Sequence, residues 1–142
     1  VKALRPGCEM WGTDCCVPLS SLTKCIMDTK KDLENCSFPA PMLGHVGDGN
    51  YHLIFLIDPN SEDELKEAEA LNERMIRRAL AVGGTCTGEH GIGLGKKHFL
   101  VEELGEAVDV MRTIKLALDP NNIMNPGKVL QEPGEVSSII TG

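Results

Sequence analysis

Apolar residues recur at helical spacing in three stretches of the chain, and two other stretches alternate or run apolar as strands do. Leu22, Cys25, Ile26, Thr29 and Leu33 predict an amphipathic helix over residues 21–34. Its charges, Lys24, Asp28, Lys30, Lys31, Asp32 and Glu34, fall mostly on the other face. Leu65, Ala68, Leu71, Met75, Ala79 and Val82 mark a longer helix. It opens at Ser61-Glu62-Asp63-Glu64, a capping-box match in which Ser and Glu satisfy each other's backbone donors, and stops at Gly83-Gly84. Val108, Met111, Lys115 and Leu118 give a third helix, ended by Asp119-Pro120-Asn121-Asn122.

Residues 13–19 read as a short strand ended by Pro18, residues 42–46 and 51–58 as the arms of a hairpin, and residues 85–87 as a further short strand. The order strand, helix, hairpin, helix, strand, helix predicts an α+β fold, with helices packed on one face of a mainly antiparallel sheet.

The hairpin brings in the first chemistry. Asp48-Gly49 is a strong signal for a two-residue type I′ turn, which would pair Asn50 with Gly47, Tyr51 with Val46 and His52 with His45. Directly opposed side chains share a face, with Cβ atoms about 4.5–5.5 Å apart, so the two imidazoles could hold one metal ion. Nine of the fifteen glycines lie between Gly44 and Gly95, around His45, His52, Glu89 and His90. Two His and one Glu with an open position suit a catalytic divalent ion. Glu89 and His90 are neighbours, whose side chains diverge on extended backbone. The division that follows makes Glu89 the third ligand and leaves His90, with an ordinary pKa of about 6.5, for proton transfer. Asp48, inside the turn, is assigned a structural role.

Composition narrows the classes. A chain of 142 residues fits one domain, and a net charge of −7 with scattered Lys and Arg argues against a nucleic-acid surface. The longest apolar run, Leu53 to Ile57, is far short of a membrane span. Six cysteines, two of them adjacent and none in C-x-x-C spacing, read as reduced thiols. Gly91-Ile92-Gly93-Leu94-Gly95-Lys96-Lys97 fails both the dinucleotide and the P-loop patterns. The chain begins at Val1 without a signal-peptide core or transit segment and reads as a fragment or processed product.

Three segments, Gly44-His45-Val46-Gly47-Asp48-Gly49-Asn50-Tyr51-His52, Gly84-Thr85-Cys86-Thr87-Gly88-Glu89-His90-Gly91-Ile92-Gly93, and Leu118-Asp119-Pro120 with Met124-Asn125-Pro126-Gly127-Lys128, resemble one family in the same order. It is the C-terminal part of the FAD-linked D-2-hydroxyacid dehydrogenases, in the vanillyl-alcohol oxidase superfamily. Within it, Asp14 to Leu22 and Thr85 to Gly95 are most similar to the mitochondrial, cytochrome-linked branch acting on D-lactate. The tail over 131–142, beyond the last motif, is expected to be poorly ordered. The resemblance implies a substrate and metal-binding domain over residues 1–130 and FAD held mainly by an N-terminal domain outside this chain. It implies that His45, His52 and Glu89 bind Zn or Mn, that His90 is the active-site histidine, and that Asn50 and Asn125 lie near the flavin and substrate. Arg5 is a candidate for the carboxylate of the 2-hydroxy acid. The electron acceptor would be cytochrome c or a flavoprotein, and the location mitochondrial. Two rival readings use the same residues: a metal hydrolase, and a fragment that binds metal or a partner without turnover.

Overall fold

A computed structural model describes residues 1–131, so the expectation for the tail falls, apart from Gln131, outside the described residues. The chain divides into two compact units, Val1–His90 and a second beginning at Gly91.

The first unit is organised on one strand. β4 (Asn50–Ile57) pairs antiparallel with β1 (Glu9–Gly12) and β2 (Cys15–Cys16) along one edge and with β3 (Met42–His45) along the other. β1 and β2 keep a single register, Gly12 opposite Ile54 and Cys15 opposite Tyr51, so they are one strand interrupted at Thr13-Asp14. The interruption has a local cause. Thr13 still donates its N–H to the Leu53 carbonyl (2.8 Å), but the Leu53 N–H turns to the Thr13 hydroxyl (2.9 Å) instead of the Thr13 carbonyl. That carbonyl is released from the ladder.

Two helices, α1 (Leu19–Asp32) and α2 (Glu62–Ala81), join this sheet. Tyr51, Leu53 and Phe55 alternate onto one face of β4 and are buried with Leu22 and Cys25 of α1 and Ala68, Leu71, Met75, Ile76 and Ala79 of α2. Thr29 of α1 reaches the Tyr51 hydroxyl (3.4 Å), and Thr13 reaches Met75 Sδ of α2 (3.6 Å). Each fully buried Leu, Phe or Met contributes about 1.5–3 kcal/mol, so this layer supplies the main apolar drive. Arg78 ties the helices together through Thr29 (2.7 Å) and Asp32 (2.5 Å). The second unit carries α3 (Lys97–Leu104) and α4 (Ala107–Leu118). No helix among the described residues is long and apolar enough to cross a membrane, and all six cysteines are free thiols.

The α+β class, the helical layer and the antiparallel sheet are as the hydrophobic pattern predicts. Four details differ. β1 and α3 are absent from the sequence reading: β1 is short and largely exposed, and α3 is eight residues with little apolar periodicity. The strand expected over 13–19 shrinks to Cys15–Cys16, because Pro18 ends it and the Thr13 hydroxyl breaks its ladder. The strand expected over 85–87 is a single bridge between Thr85 and Cys16. The capping box is half made: Ser61 accepts from the Glu64 N–H (3.3 Å), but the Glu64 carboxylate is taken by Arg5 and by the Asp58 N–H.

Candidate metal centre

The hairpin forms, but in another register. His45 lies opposite Asn50 and His52 opposite Leu43, so the predicted His45–His52 pairing is overturned. The turn holds four residues rather than two, a 3-10 turn over Val46–Asp48 followed by Gly49 at φ 76°. Contacts with the neighbouring strand decide this over local turn preference. Val17 donates to the Gly49 carbonyl (2.9 Å), Cys16 Sγ to the Asp48 carbonyl (3.2 Å), and any Cβ at Gly49 would sit 2.0 Å from the Val17 carbonyl oxygen. Every pairing is displaced by two residues, and an even displacement keeps each side chain on its face. The histidines therefore meet as a diagonal pair, ring centroids 6.1 Å apart.

Glu89 reaches the same place. Its Oε1 lies 3.2 Å from His52 Nε2 and 3.5 Å from His45 Nε2, and one ligand atom from each of the three falls within 4.8 Å of the others. Ligands held about 2.0–2.1 Å from a shared Zn²⁺ stand about 3.4 Å apart across a tetrahedral edge, so the donor set and its spacing fit a divalent ion. His52 is 7% exposed while His45 and Glu89 are 63% and 47% exposed. One ligand is rooted in the sheet, and the centre opens to the outside on the other two.

The root is well defined. His52 Nδ1 lies 3.0 Å from the Thr13 carbonyl freed by the strand interruption. A carbonyl only accepts, so Nδ1 is the nitrogen that donates to it, and Nε2 is the one turned toward Glu89. A ring N–H given to a backbone carbonyl is the usual way a metal-binding imidazole is oriented.

His90 departs from the expected divergence. Its Nε2 stands 3.5 Å from the same Glu89 Oε1, and its ring lies 5.2 Å from that of His52, because residues 88–90 are a tight loop rather than extended chain. It is 66% exposed at the open side.

That loop is wrapped around Asp14. Asp14 Oδ2 accepts the Thr87 hydroxyl (2.9 Å) and the N–H groups of Gly88 (2.7 Å), Glu89 (2.9 Å) and His90 (2.9 Å). Its Oδ1 accepts from Asn50 Nδ2 (2.7 Å) and lies 3.5 Å from His52 Nδ1. Burial pushes the Asp14 pKa up, but the hydrogen bonds from His90, Glu89, Asn50 and Thr87 outweigh it and hold the carboxyl well below the ordinary range. Gly88 makes the wrapping possible: a Cβ there would lie 1.8 Å from Asn50 Nδ2 and 2.8 Å from Asp14 Oδ1. Sequence reading missed Asp14. The available signal was a carboxylate set in the otherwise uncharged stretch Thr13 to Ser21.

The other expected site residues scatter. Asn50 is buried in the cluster, bonded also to the Cys15 carbonyl (3.1 Å), and its Oδ1 has no partner among the described residues. Arg5 is held by Glu64 in a two-pronged ion pair (2.7 and 2.9 Å) and by the Leu56 carbonyl (2.9 Å). Leu56 is four strand positions from His52, about 13 Å along β4, so the structure does not bring Arg5 to the centre. Asn125 belongs to the second unit, exposed and with φ at 46°. Asp48 offers its carbonyl to Cys16 within the turn.

Residues 1–129 match the family described as FAD linked oxidases, C-terminal domain. The chain is 55% identical over 130 residues to a probable mitochondrial D-lactate dehydrogenase of Danio rerio, covering 91% of this chain and 26% of that protein. It is 50% identical over 129 residues to a mitochondrial D-lactate dehydrogenase (cytochrome) of Arabidopsis thaliana, covering 90% and 23%. A glycolate oxidase subunit of Bacillus subtilis is 39% identical over 114 residues, covering 78% and 23%. The chain thus spans about a quarter of the length of these curated relatives.

Proposed function

This chain belongs to the family of FAD linked oxidase C-terminal domains, and from that premise we propose that it forms the substrate- and metal-binding part of a flavin-dependent D-2-hydroxyacid dehydrogenase. The substrate we assign is D-lactate, oxidised to pyruvate, and the location mitochondrial, as in the names of the Danio rerio and Arabidopsis thaliana relatives. The observation that carries this reading is the convergence of His45, His52 and Glu89 on one point, with His90 at its open side. The working domain is residues 1–130.

The geometry supports one division of labour. His45, His52 and Glu89 would hold the ion, Zn or Mn, which supplies Lewis acidity toward the carboxylate and hydroxyl oxygens of a 2-hydroxy acid. FAD, which residues outside this chain would hold, would supply the acceptor for the C2 hydride. His52 cannot turn away, because its Nδ1–H is committed to Thr13. His90, exposed beside Glu89, would take the hydroxyl proton on Nε2 while the C2 hydride goes to the flavin, so that the alcohol loses both hydrogens and becomes the ketone. Asn50, buried beside the centre with its Oδ1 unpartnered among the described residues, and Asn125 are assigned to the flavin and substrate by the family resemblance. Electrons would pass on to cytochrome c or a flavoprotein.

Metal analysis of the purified chain tests the centre: about one equivalent of Zn or Mn is expected, and much less in His45→Ala and Glu89→Ala. Unchanged metal content in both variants would sink it. Co-expression with the flavin-binding part of a relative, followed by dye reduction with D-lactate, tests the reaction. There His90→Ala is expected to lower kcat by about 10²–10⁴-fold with metal retained.

A further inference from the structure

Glu89 is the one ligand of the trio not carried by the hairpin, and the chain around it, residues 86–91, lies in no strand or helix. Its geometry has to come from elsewhere. The backbone N–H groups of Gly88, Glu89 and His90 all end on Asp14 Oδ2, together with the Thr87 hydroxyl. The other oxygen of the same carboxylate faces Asn50 and His52 Nδ1, two positions on β4. One buried side chain, 2% exposed, therefore touches both parts from which the centre is built. Asp14 itself sits at the strand interruption that frees the Thr13 carbonyl for His52.

We propose that Asp14 is the positioning residue of the metal centre: its carboxylate fixes the loop that aims Glu89 and, with the Thr13 carbonyl, fixes the ring of His52. This rests on the metal reading above and adds to it a residue that contacts neither ion nor substrate. The carboxylate, rather than an amide, is needed. Both oxygens accept, Oδ2 from the loop and Oδ1 from Asn50, and an Asn in its place would set an NH₂ against one group of donors or the other. Residues that orient metal ligands from behind typically control affinity by about 10–100-fold.

The test is Zn²⁺ titration calorimetry on the 142-residue chain, with amide hydrogen exchange at residues 88–90 as a second readout. Asp14→Asn is expected to raise the Kd for Zn²⁺ by about 10–100-fold and to speed exchange at Gly88, Glu89 and His90. Leu71→Ala, buried on α2, is the control for a merely structural effect: it should lower Tm and leave the Kd within about twofold. Gly88→Ala covers the case in which Asp14→Asn does not fold, since its Cβ displaces the loop from Asp14 and Asn50. It should raise the Kd by about tenfold or more. A Kd within about twofold of the parent in every folded variant of this pair overturns the proposal. A parent chain that takes up no Zn²⁺ overturns the metal reading and this inference together, whereas binding by the parent with unchanged variants overturns this inference alone.

Discussion

Asp14 and Asp119 solve one problem at two ranges. Each is a buried aspartate, 2% and 4% exposed, and each accepts consecutive backbone N–H groups from a loop carrying a candidate site residue. Asp14 gathers Gly88, Glu89 and His90 from 74 to 76 residues away. Asp119 gathers Ile123 (3.0 Å) and Met124 (2.9 Å), four and five residues on, ahead of Asn125. The compensation differs as well. Lys115, one helical turn earlier, brings a cation to Asp119, whereas Asp14 is surrounded by N–H and O–H dipoles. The short-range device is a helix stop that its own sequence specifies, while the long-range one exists only once two distant segments meet. Asp14 therefore carries tertiary structure and Asp119 carries a turn.

The largest test of that contrast is Asp14→Ala. Removing a buried charge whose partners stay behind, including three backbone N–H groups, is expected to cost about 3–5 kcal/mol in urea unfolding. Asp119→Ala should lower the midpoint less, since its loop can turn to water, and its faster hydrogen exchange should be confined to residues 119–128. Equal losses in the two variants would erase the distinction. Ser61→Ala calibrates the short-range end of the scale: a purely local cap whose loss is expected to cost about 1 kcal/mol.

The smallest effect is in pH dependence. The hydrogen bond from Lys115, aided by the Met124 and Ile123 N–H groups against the opposing pull of burial, holds the Asp119 carboxyl below its ordinary value. A depressed carboxyl stabilises the fold above its unfolded pKa of about 3.9, and that stabilisation fades as the pH falls through the lower folded value. Lys115→Met should bring the folded value back toward ordinary. The variant is then less stable than the parent at pH 7, loses less on acidification, and meets the parent curve at the acid end. Parallel curves across the whole range would show that Lys115 does not act through Asp119.

The same division of range explains what the chain shows as a string. The stripes of α1, α2 and α4, the Ser61 cap and the Asp119-Pro120 stop are local, and they stand where periodicity places them to within about two residues. The hairpin was legible, but its register was not. The contacts that hold Gly49 to Val17 and Asp48 to Cys16 come from a strand more than thirty positions away. His45 and His52 still meet because the displacement is even. The meeting of Glu89 and His90 was hidden, since an extended chain would separate them and only the wrapping around Asp14 turns both to one side. Arg5 pairs with Glu64, a carboxylate that the capping-box match had assigned to its own helix.

The interrupted strand has a consequence for how the centre comes into being. A hairpin of this size closes in about 1–10 μs, so His45 and His52 can meet early, with only β3 and β4 in place. Glu89 would arrive later, because its loop is held by a residue at the far end of the unit, and segments that distant in sequence join slowly. On that order the centre would be assembled in two instalments, a pair of imidazoles first and a carboxylate last. An ion supplied during refolding would gain its full set of ligands only when the N-terminal strand has docked, so the rate of tight uptake would time the closing step of folding rather than the formation of the turn.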